Sequence, residues 1–391
     1  MYRFIYAQKD SWISETSSSQ NFGGDEILEI RKEFNNNETG SKPVAFTRAL
    51  IQFDLTSFKN DVDNGTIPDS AKYFLRMYST ETSALPFEYS LEAFPVSQSW
   101  EEGVGKVISD PIVQDGVTWS HRDKRTTELS WSLAVTESYS NLQSTSGSRT
   151  DEGGLKGGGV WFTGSYHQAS QSFSYESPDI NMDISDIVKS HWYVSGSSEW
   201  NKGLLVKYSG SLESTSSLDR GNLKFFSRNT HTIYPPKLEV RWDDRSPITG
   251  SITSSFTALD MSGTADNYIY IKGLKPEYKE TEVVKFRVGA RKRYVDKTIS
   301  TTYQTVTGSY VADTSGSYSI VDVITGETIV PFKDKQNNVY SYLSLDSGSM
   351  YFKQDLNTFQ PNRVYKILIK VNYDDNQEII YDDDYTFKIV R

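Results

Sequence analysis

The chain has 391 residues, a length that suits two or three domains, each large enough to bury its own core. Aromatic residues make up 13% of it, with 25 Tyr, 19 Phe and 8 Trp, which is typical of strands and turns and argues against a mainly helical protein. The net charge of −10 offers the phosphates of nucleic acid no overall attraction, and the lack of cysteine excludes disulfides and thiolate chemistry.

Residues 1–9 contain no apolar run long enough for a signal peptide, so the sequence predicts no secretion signal at this position. No stretch of about 18 consecutive apolar residues occurs in the sequence, which is the length that a membrane-spanning helix needs. We therefore expect no membrane span, and no nucleic acid as a partner.

The clearest predicted strand covers residues 47–55. Ala49, Ile51 and Phe53 fall on one side of an extended chain and Arg48 falls on the other, which is the alternation of a strand buried on one face only. Two further segments alternate in the same way: 71–77 and 88–96. Because Pro, Gly and Asp turns separate the three segments, together they predict a sheet.

Residues 120–170 are rich in Ser, Thr and Gly, and we interpret them as an insertion between two sets of strands. Long loops of this kind often carry function, and this one contains Trp131, Trp161 and Tyr166. We predict these three as contacts for a glycan or a protein partner, since aromatic rings stack on sugars, with Trp131 and Trp161 the most exposed. The alternative is a flexible insertion whose aromatic side chains pack on the sheet.

Residues 183–192 have the spacing of a short helix, and Asp183 is placed to cap it. Four apolar positions share one face of that helix: Ile184, Ile187, Val188 and Trp192. We expect the helix to close one end of a sandwich. Strands are predicted again at 203–208, 223–226 and 237–242.

The alternating pattern stops at the polar segment 243–247, where we place the domain boundary. The predicted domains are 1–245 and 248–391, and we expect each to fold by itself. The second contains six predicted strands: 267–271, 282–288, 318–323, 350–352, 364–371 and 385–390. Six short strands within about 140 residues predict an immunoglobulin-like β-sandwich.

Several short motifs follow one another between residues 1 and 243. In chain order they are Lys9-Asp-Ser-Trp-Ile13, Asn21-Phe-Gly23, Arg48-Ala-Leu-Ile-Gln-Phe-Asp-Leu55, Trp100-Glu-Glu102, Val117-Thr-Trp119, Asn201-Lys-Gly-Leu-Leu-Val206, Phe226-Ser-Arg-Asn229 and Pro236-Lys-Leu-Glu-Val240. In that order they resemble the DNRLRE family of domains. Asn229 stands where the family usually has Glu, and the insertion is long, so no site is carried over from the family at either place.

The resemblance implies a jelly-roll β-sandwich for residues 1–245, related to carbohydrate-binding modules and found in bacterial surface proteins and bacteriophage virion proteins. It does not imply an enzyme. The segment from Ile184 to Trp192 also resembles a short helix of the family, and three tryptophans in the matched segments are expected to be structural: Trp100, Trp119 and Trp192. Arg228, in the Phe226–Asn229 motif, is expected to pair with a buried acid.

No motif for catalysis, metal binding or phosphate binding occurs in the sequence. Four histidines are present, and no two have the spacing of a metal site: His121, His167, His191 and His231. Adjacent acids at 101–102, 243–244 and 382–384 are interpreted as solvated turns and edges, because neighbours on a strand point to opposite faces. The sequence therefore predicts no catalytic residue and no cofactor, and a structural Ca²⁺ near the acidic loops has no EF-hand-type spacing in its favour.

We predict a structural component of a bacteriophage virion, such as a head-decoration, neck or fibre subunit. Its partners would be other virion proteins and copies of itself, as a homo-oligomer. The alternative is a glycan-binding adhesion module at a host or cell surface, favoured by the relation to carbohydrate-binding modules and by the aromatic-rich insertion. An enzyme is a third hypothesis, and no motif favours it.

Overall fold

The computed structural model describes residues 1–34, 44–83, 85, 87–125, 128–131, 142–144, 157–162, 166–174, 177–192, 201–213, 221–253, 255–262, 266–294, 299, 302, 308–374 and 377–391. These residues form an all-β protein with short helices, which confirms the predicted fold class. The chain divides into two compact units. The amino-terminal unit is Ile5–Glu239, and the carboxy-terminal unit joins Met1–Phe4 to Val240–Arg391.

Fifteen strands belong to the first part of the chain: β1 (Tyr2–Ser14), β2 (Ile27–Phe34), β3 (Val44–Phe53), β4 (Lys72–Met77), β5 (Ser79–Ser83), β6 (Glu88–Pro95), β7 (His121–Asp123), β8 (Leu129–Ser130), β9 (Leu142–Ser144), β10 (Val160–Phe162), β11 (Ala169–Ser174), β12 (Ile180–Asp183), β13 (Leu204–Tyr208), β14 (Gly221–Phe226) and β15 (Lys237–Arg241), as counted among the described residues. Its helices are α1 (Thr56–Asp63), α2 (Ser185–Ile187) and α3 (Gly210–Glu213).

Most of these strands are hydrogen-bonded in the order β11-β6-β13-β3-β1-β15-β4-β12. β3 also pairs with β2, β2 with β14, and β14 with β5, so β3 belongs to two layers. Between the two end strands, the Gln171 side chain donates to the Asp179 carbonyl (3.2 Å) and accepts from the Asn181 backbone N–H (2.7 Å). The Gln171 carboxamide thereby bonds the two backbone groups that a neighbouring strand would otherwise bond at the start of β12.

Strand β3 is buried on both faces. Ala49, Ile51 and Phe53 are fully buried, as the alternation predicted. The prediction that the other face meets solvent is wrong, because Arg48 is only 1% exposed and Leu50 is fully buried. A second apolar cluster lies over that face and includes four tryptophans: Trp100, Trp119, Trp131 and Trp161. Alternation of apolar residues along a strand identifies the face that packs in the core. It does not show that a distant segment of the chain covers the other face as well.

The predicted helix at 183–192 is confirmed. It begins as α2 and continues as a π-helical turn over Val188–Trp192. The Asp183 carboxylate accepts from the Ser185 backbone N–H at 2.9 Å, but Ile184 occupies the N-cap position and has no side-chain cap, so the prediction of Asp183 as the cap is wrong by one residue. The four predicted apolar positions are all buried: Ile184, Ile187, Val188 and Trp192.

The described strands of the carboxy-terminal unit are β16 (Thr257–Ala258), β17 (Asn267–Lys272), β18 (Glu277–Lys279), β19 (Val283–Lys292), β20 (Ser309–Tyr310), β21 (Gly316–Asp322), β22 (Thr328–Val330), β23 (Ser344–Leu345), β24 (Met350–Asp355), β25 (Val364–Asn372) and β26 (Glu378–Val390). Helix α4 covers Gly250–Thr253, and a 3₁₀ turn covers Leu356–Thr358.

These strands form two sheets that share one apolar core. One has the order β16-β20-β19-β24-β23, with β17 paired to β19, and the other has the order β18-β26-β25-β21-β22. Phe286, Phe352 and Ile367 are among the buried residues between them. All six predicted strands are present. β26 begins at Glu378, earlier than the predicted residue 385, because its first half is largely exposed and carries little apolar alternation.

The first four residues complete the core of the carboxy-terminal unit. Tyr2 and Phe4 are buried in it. The Tyr2 carbonyl accepts from the Gln354 side chain at 3.0 Å and from the Thr358 hydroxyl at 3.2 Å, and the Met1 amine lies 2.9 Å from the Asp244 carboxylate. The sequence grouped these residues with the first domain. A fragment of residues 248–391 therefore lacks two core side chains, and separate folding of the two predicted domains stays a prediction.

Candidate functional site

Two of the three predicted contact residues are buried. Trp131 is 7% exposed and its indole N–H donates to the Thr118 carbonyl at 3.1 Å. Trp161 is 4% exposed, and its ring lies 5.6 Å from that of Phe94. The prediction that both are exposed is wrong, since they pack on the sheet and extend its apolar cluster. Tyr166 is 58% exposed and stays available for contact. Much of the predicted insertion lies outside the described residues.

A cluster of buried charges lies next to Trp161, on strands β6, β13 and β3. We name the sheet face that carries Glu92, Lys207 and Arg48 the covered face. The Arg48 Nε lies 2.7 Å from one carboxylate oxygen of Glu213, and the Lys207 Nζ lies 2.9 Å from the other. Glu92 lies 3.8 Å from Lys207. Each buried cation thus has an acid, as burial of a charge requires.

The same cluster holds the segment 157–162 on the sheet. The Arg48 guanidinium carbon lies 4.7 Å from the ring centroid of Trp119 and 5.5 Å from that of Trp161. Arg48 also donates to the Gly158 carbonyl at 2.7 Å. Gly157 has a φ of +128°, and a Cβ there would lie 2.3 Å from the Trp119 carbonyl oxygen, so only glycine fits. The covered face therefore serves packing.

The protonation state of Glu213 follows from its two cations. Burial by itself raises the pKa of this carboxyl, but Arg48 and Lys207 outweigh burial and lower the pKa to about 2. The carboxylate thus stays charged at all pH values at which the protein is expected to work. This is the electrostatics of a structural pair, since a general acid or base would need a pKa nearer neutrality.

An exposed apolar loop stands on the same unit. Four aliphatic side chains between residues 104 and 112 are largely in solvent: Val104 (71%), Val107 (54%), Ile108 (86%) and Ile112 (49%). We name these four residues the apolar loop. Scattered exposed aliphatic side chains are ordinary, but four within nine residues concentrate exposed apolar surface in one loop, as interaction sites do.

Hydrogen bonds fix the base of the apolar loop. The Gly24 N–H donates to the Gly105 carbonyl at 2.8 Å, and the Val107 N–H donates to the Asp25 carboxylate at 3.1 Å. Burial of Asp25 raises the pKa of its carboxyl, against the hydrogen bonds that it accepts from Val107 and Trp12. The loop is therefore held in a defined shape.

Asn21 joins the loop to the turn of the Asn21-Phe-Gly23 motif. Its side-chain nitrogen donates to the carbonyls of Glu102 and Val117, both at 2.7 Å. Its side-chain oxygen accepts from the backbone N–H groups of Gly23 (3.1 Å) and Gly105 (2.8 Å). Both donors and both lone pairs of the carboxamide are used, so the motif acts as a structural clamp.

A buried acid lies beside this clamp. The Asp10 carboxylate accepts from the Arg228 backbone N–H at 2.6 Å, and the Arg228 side chain lies 2.8 Å from the Glu102 carboxylate. The Arg228 side chain does pair with an acid, but not with a buried one as predicted, because Glu102 is 20% exposed and the buried Asp10 accepts from the Arg228 backbone. Burial raises the pKa of Asp10 to about 8, opposed by the Arg228 hydrogen bond and assisted by the Glu102 charge.

A polar cleft of about 210 Å³ opens beside β3 and α1. Its lining includes Gln8, Gln52, Asp54, Lys59, Trp192 and Asn201. The indole N–H of Trp192 has no hydrogen-bond partner among the described residues, although the side chain is 1% exposed. Carboxamides both donate and accept, which suits them to hydroxyl-rich small molecules.

Among the described residues no group of three or more His, Asp or Glu side chains is placed to hold a metal ion. Within the same residues, no helix has the length and apolar character needed to cross a membrane.

No protein-family model matches this chain, and no curated protein matches it. Among solved structures, the FMN-binding β-glucuronidase from Facaelibacterium prausnitzii L2-6 is 9% identical to it, with a TM-score of 0.15. The match covers all of this chain and 39% of that enzyme's chain. Neither a fold nor an activity is taken from this match. The DNRLRE resemblance stays a prediction.

Sequence reasoning missed the covered face and the apolar loop for different reasons. Arg48 lies among apolar residues in β3, and this single cation could have indicated that the second face of the strand is also buried. Val104, Val107, Ile108 and Ile112 follow neither a helical nor a strand period, so pattern analysis passes over them. Their exposure is visible only once the rest of the unit has folded.

Proposed function

We propose that this chain is a non-catalytic structural protein that works through protein–protein contacts. Its proposed place is the virion of a bacteriophage, which is what the DNRLRE resemblance implies. The observation that carries the contact role is the apolar loop, in which Ile108 is the most exposed side chain at 86%. The partner that fits it is another particle protein with an apolar surface.

The shape of the apolar loop favours this role over a passive one. Its backbone is anchored to Gly24 and Asp25, so little conformational freedom is lost when it docks. Its side chains are aliphatic, so burying them against a partner removes apolar surface from water. A rigid apolar projection is the feature from which interface anchors are made.

The test is the double variant Val107→Asp with Ile108→Asp, measured as the amount of chain incorporated into purified particles. We expect incorporation to fall at least about tenfold, because two carboxylates would be buried unpaired at the contact. Ile324→Asp is the matched control, since Ile324 is 73% exposed in the carboxy-terminal unit. Equal incorporation of all variants would remove the loop from the contact, and particles that lack the chain by mass spectrometry would refute the virion placement.

A glycan-binding adhesion module is the second candidate, and the polar cleft with the exposed Tyr166 favours it. Glycan arrays with the parent chain, Gln52→Ala and Tyr166→Ala would test it. We expect one of the two variants to lose the parent's signal, while Tyr294→Ala, at a residue 76% exposed in the other unit, keeps it. A parent chain with no signal above background would exclude this candidate.

A further inference from the structure

The outer face of the sheet formed by β17, β19 and β24 combines cations with tyrosine rings. Residues directly opposite each other in antiparallel strands project to the same face. The register pairs Tyr268 with Arg291, Lys272 with Arg287, Arg287 with Tyr351, and Lys285 with Lys353. We name as the basic face the seven residues Lys272, Lys285, Arg287, Arg291, Lys353, Tyr268 and Tyr270.

The other face of the same strands forms the core of the carboxy-terminal unit. Ile269, Val288 and Phe352 alternate with the residues of the basic face and are buried. The basic face is therefore the side of the sheet that points away from the core. At its β17 edge this face meets β26, where the Tyr385 side chain is hydrogen-bonded to that of Tyr268.

The charge of the basic face is opposite to that of the protein. It has five cations, and one carboxylate among the described residues pairs with them, that of Asp346, which bonds Lys285 (2.6 Å) and Arg287. Asp355, opposite Val283 on the same face, is paired with Arg3 at 3.3 Å, so these two charges cancel. The local sum is then 5 − 1 = +4, while the whole chain carries −10, so the remainder carries −10 − 4 = −14. Within the described part of the chain, Lys272, Arg291 and Lys353 have no ion-pair partner.

Stacking holds the cations in place. The rings of Tyr268 and Tyr270 lie 5.4 Å apart and nearly parallel, at 15°. The Arg291 guanidinium carbon lies 5.1 Å from the Tyr268 centroid, and the Lys272 nitrogen lies 5.8 Å from the Tyr270 centroid. Opposite Tyr270 stands Gly289, where a Cβ would lie 2.4 Å from the ring. The side chains are thus ordered before any partner arrives.

The same unit presents a protruding acidic segment. In the pairing of β25 with β26, Ile367 is opposite Tyr385 and Ile369 is opposite Tyr381, so the three residues 382–384 face one. This bulge is the one run of three consecutive acids in the sequence. Lys366 pairs with Asp382 at 2.8 Å, while Asp383 is exposed and has no ion-pair partner among the described residues. We name residues 382–384 the acidic bulge.

We propose that the basic face is a docking surface for a second copy of this chain, which presents its acidic bulge to it. The proposal rests on the proposed contact function and names one of its partners. Every copy supplies both charges, so the complementarity needs no foreign polyanion. Opposite charges at exposed positions steer association and fix which surfaces meet.

The experiment is sedimentation velocity of the full chain at about 0.02 M and about 0.5 M NaCl, since screening is strong at the higher concentration. One variant reverses the basic face with Lys272→Glu, Arg291→Glu and Lys353→Glu, and another reverses the bulge with Asp382→Lys, Asp383→Lys and Asp384→Lys. We expect the parent to self-associate at low salt, and each variant to weaken self-association at least about tenfold. An equimolar mixture of the two variants should associate again, because the reversed face of one then meets the reversed bulge of the other, and the unchanged face of the second meets the unchanged bulge of the first.

The matched control is Lys275→Glu, Lys279→Glu and Lys335→Glu, which changes the net charge by the same amount at exposed lysines elsewhere on this unit. It should self-associate like the parent. Circular dichroism and melting temperature verify that all variants are folded. A parent that stays monomeric at low salt, or a basic-face variant that associates as well as the control, would overturn the proposal. Either result would leave the apolar loop as a contact with other particle proteins, which the incorporation assay tests separately.

Discussion

The covered face and the basic face both place cations beside aromatic rings, but the cations are buried on the first and partly exposed on the second. On the covered face Arg48 lies 4.7 Å from the Trp119 centroid, and on the basic face Arg291 lies 5.1 Å from the Tyr268 centroid. Arg48 is buried and has Glu213 as its partner, whereas Arg291 remains partly in solvent without a described acid. A buried cation needs a paired acid, because an unpaired buried charge is strongly destabilising, whereas a cation in contact with solvent does not need one. A cation beside an aromatic ring is therefore a packing device in one place and a docking surface in the other.

The largest expected effect comes from removing the charge of Glu213. In Glu213→Gln, Arg48 and Lys207 lose their close acid while they remain buried, so we expect the amino-terminal unit to lose about 3–5 kcal/mol of unfolding free energy. Urea unfolding followed by tryptophan fluorescence measures this, since the described tryptophans except Trp242 lie in that unit. Glu128→Gln, at an acid that is 67% exposed, is the control. A loss no larger than the control's would mean that the cations relax into solvent.

The pKa of Glu213 also fixes the pH range of this effect. Its folded-state pKa of about 2 lies below the ordinary value of 4.5. The stabilisation is therefore present above about pH 4.5 and is lost as pH falls through about 2. The difference between the parent and Glu213→Gln should shrink over that window.

An intermediate effect is expected from Asp10, a buried acid whose closest partner is the Arg228 backbone N–H and not a charged side chain. The folded pKa of Asp10, about 8, lies above its ordinary value of 3.8, so the folded state favours the protonated form. This contribution is fully present below about pH 3.8 and is lost as pH rises through about 8, with a slope of at most about 1.4 kcal/mol per pH unit. Asp10→Asn should flatten the decline seen by urea unfolding from about pH 5 to about pH 8. An unchanged slope, with Asp63→Asn as the exposed control, would show that Asp10 is ionised in the fold.

The smallest expected effect lies on the basic face. Asp346 is 28% exposed and its partners Lys285 and Arg287 are about a third exposed, at 35% and 34%. Burial alone would raise the pKa of Asp346, but hydrogen bonds from Arg287 and Lys285 lower it far below its usual range. We expect Asp346→Asn to change the unfolding free energy by less than about 1 kcal/mol, because solvent screens exposed pairs. The same variant should tighten self-association at low salt, since the face then carries +5. Weaker association would contradict the sign of the proposed contact.

The sequence by itself determined the all-β class, the helical segment at 183–192 and the six strands of the carboxy-terminal unit. These follow from local chemistry, because alternation of apolar residues such as Ala49, Ile51 and Phe53 is written in neighbouring positions. Pairing of Arg228 with an acid was predictable from its motif, but the partner is the partly exposed Glu102 and not the buried acid that was expected.

The tertiary structure alone decided which surfaces are open. Trp161 lies beside Arg48 and Lys207, which are distant in sequence, and Trp131 belongs to the same apolar cluster, so no local pattern shows that the two rings are covered. The basic face likewise depends on the register that sets Tyr268 beside Arg291 and Lys272 beside Arg287. Exposure and charge segregation are properties of the packed layers, since they arise only when strands far apart in the chain come to lie side by side.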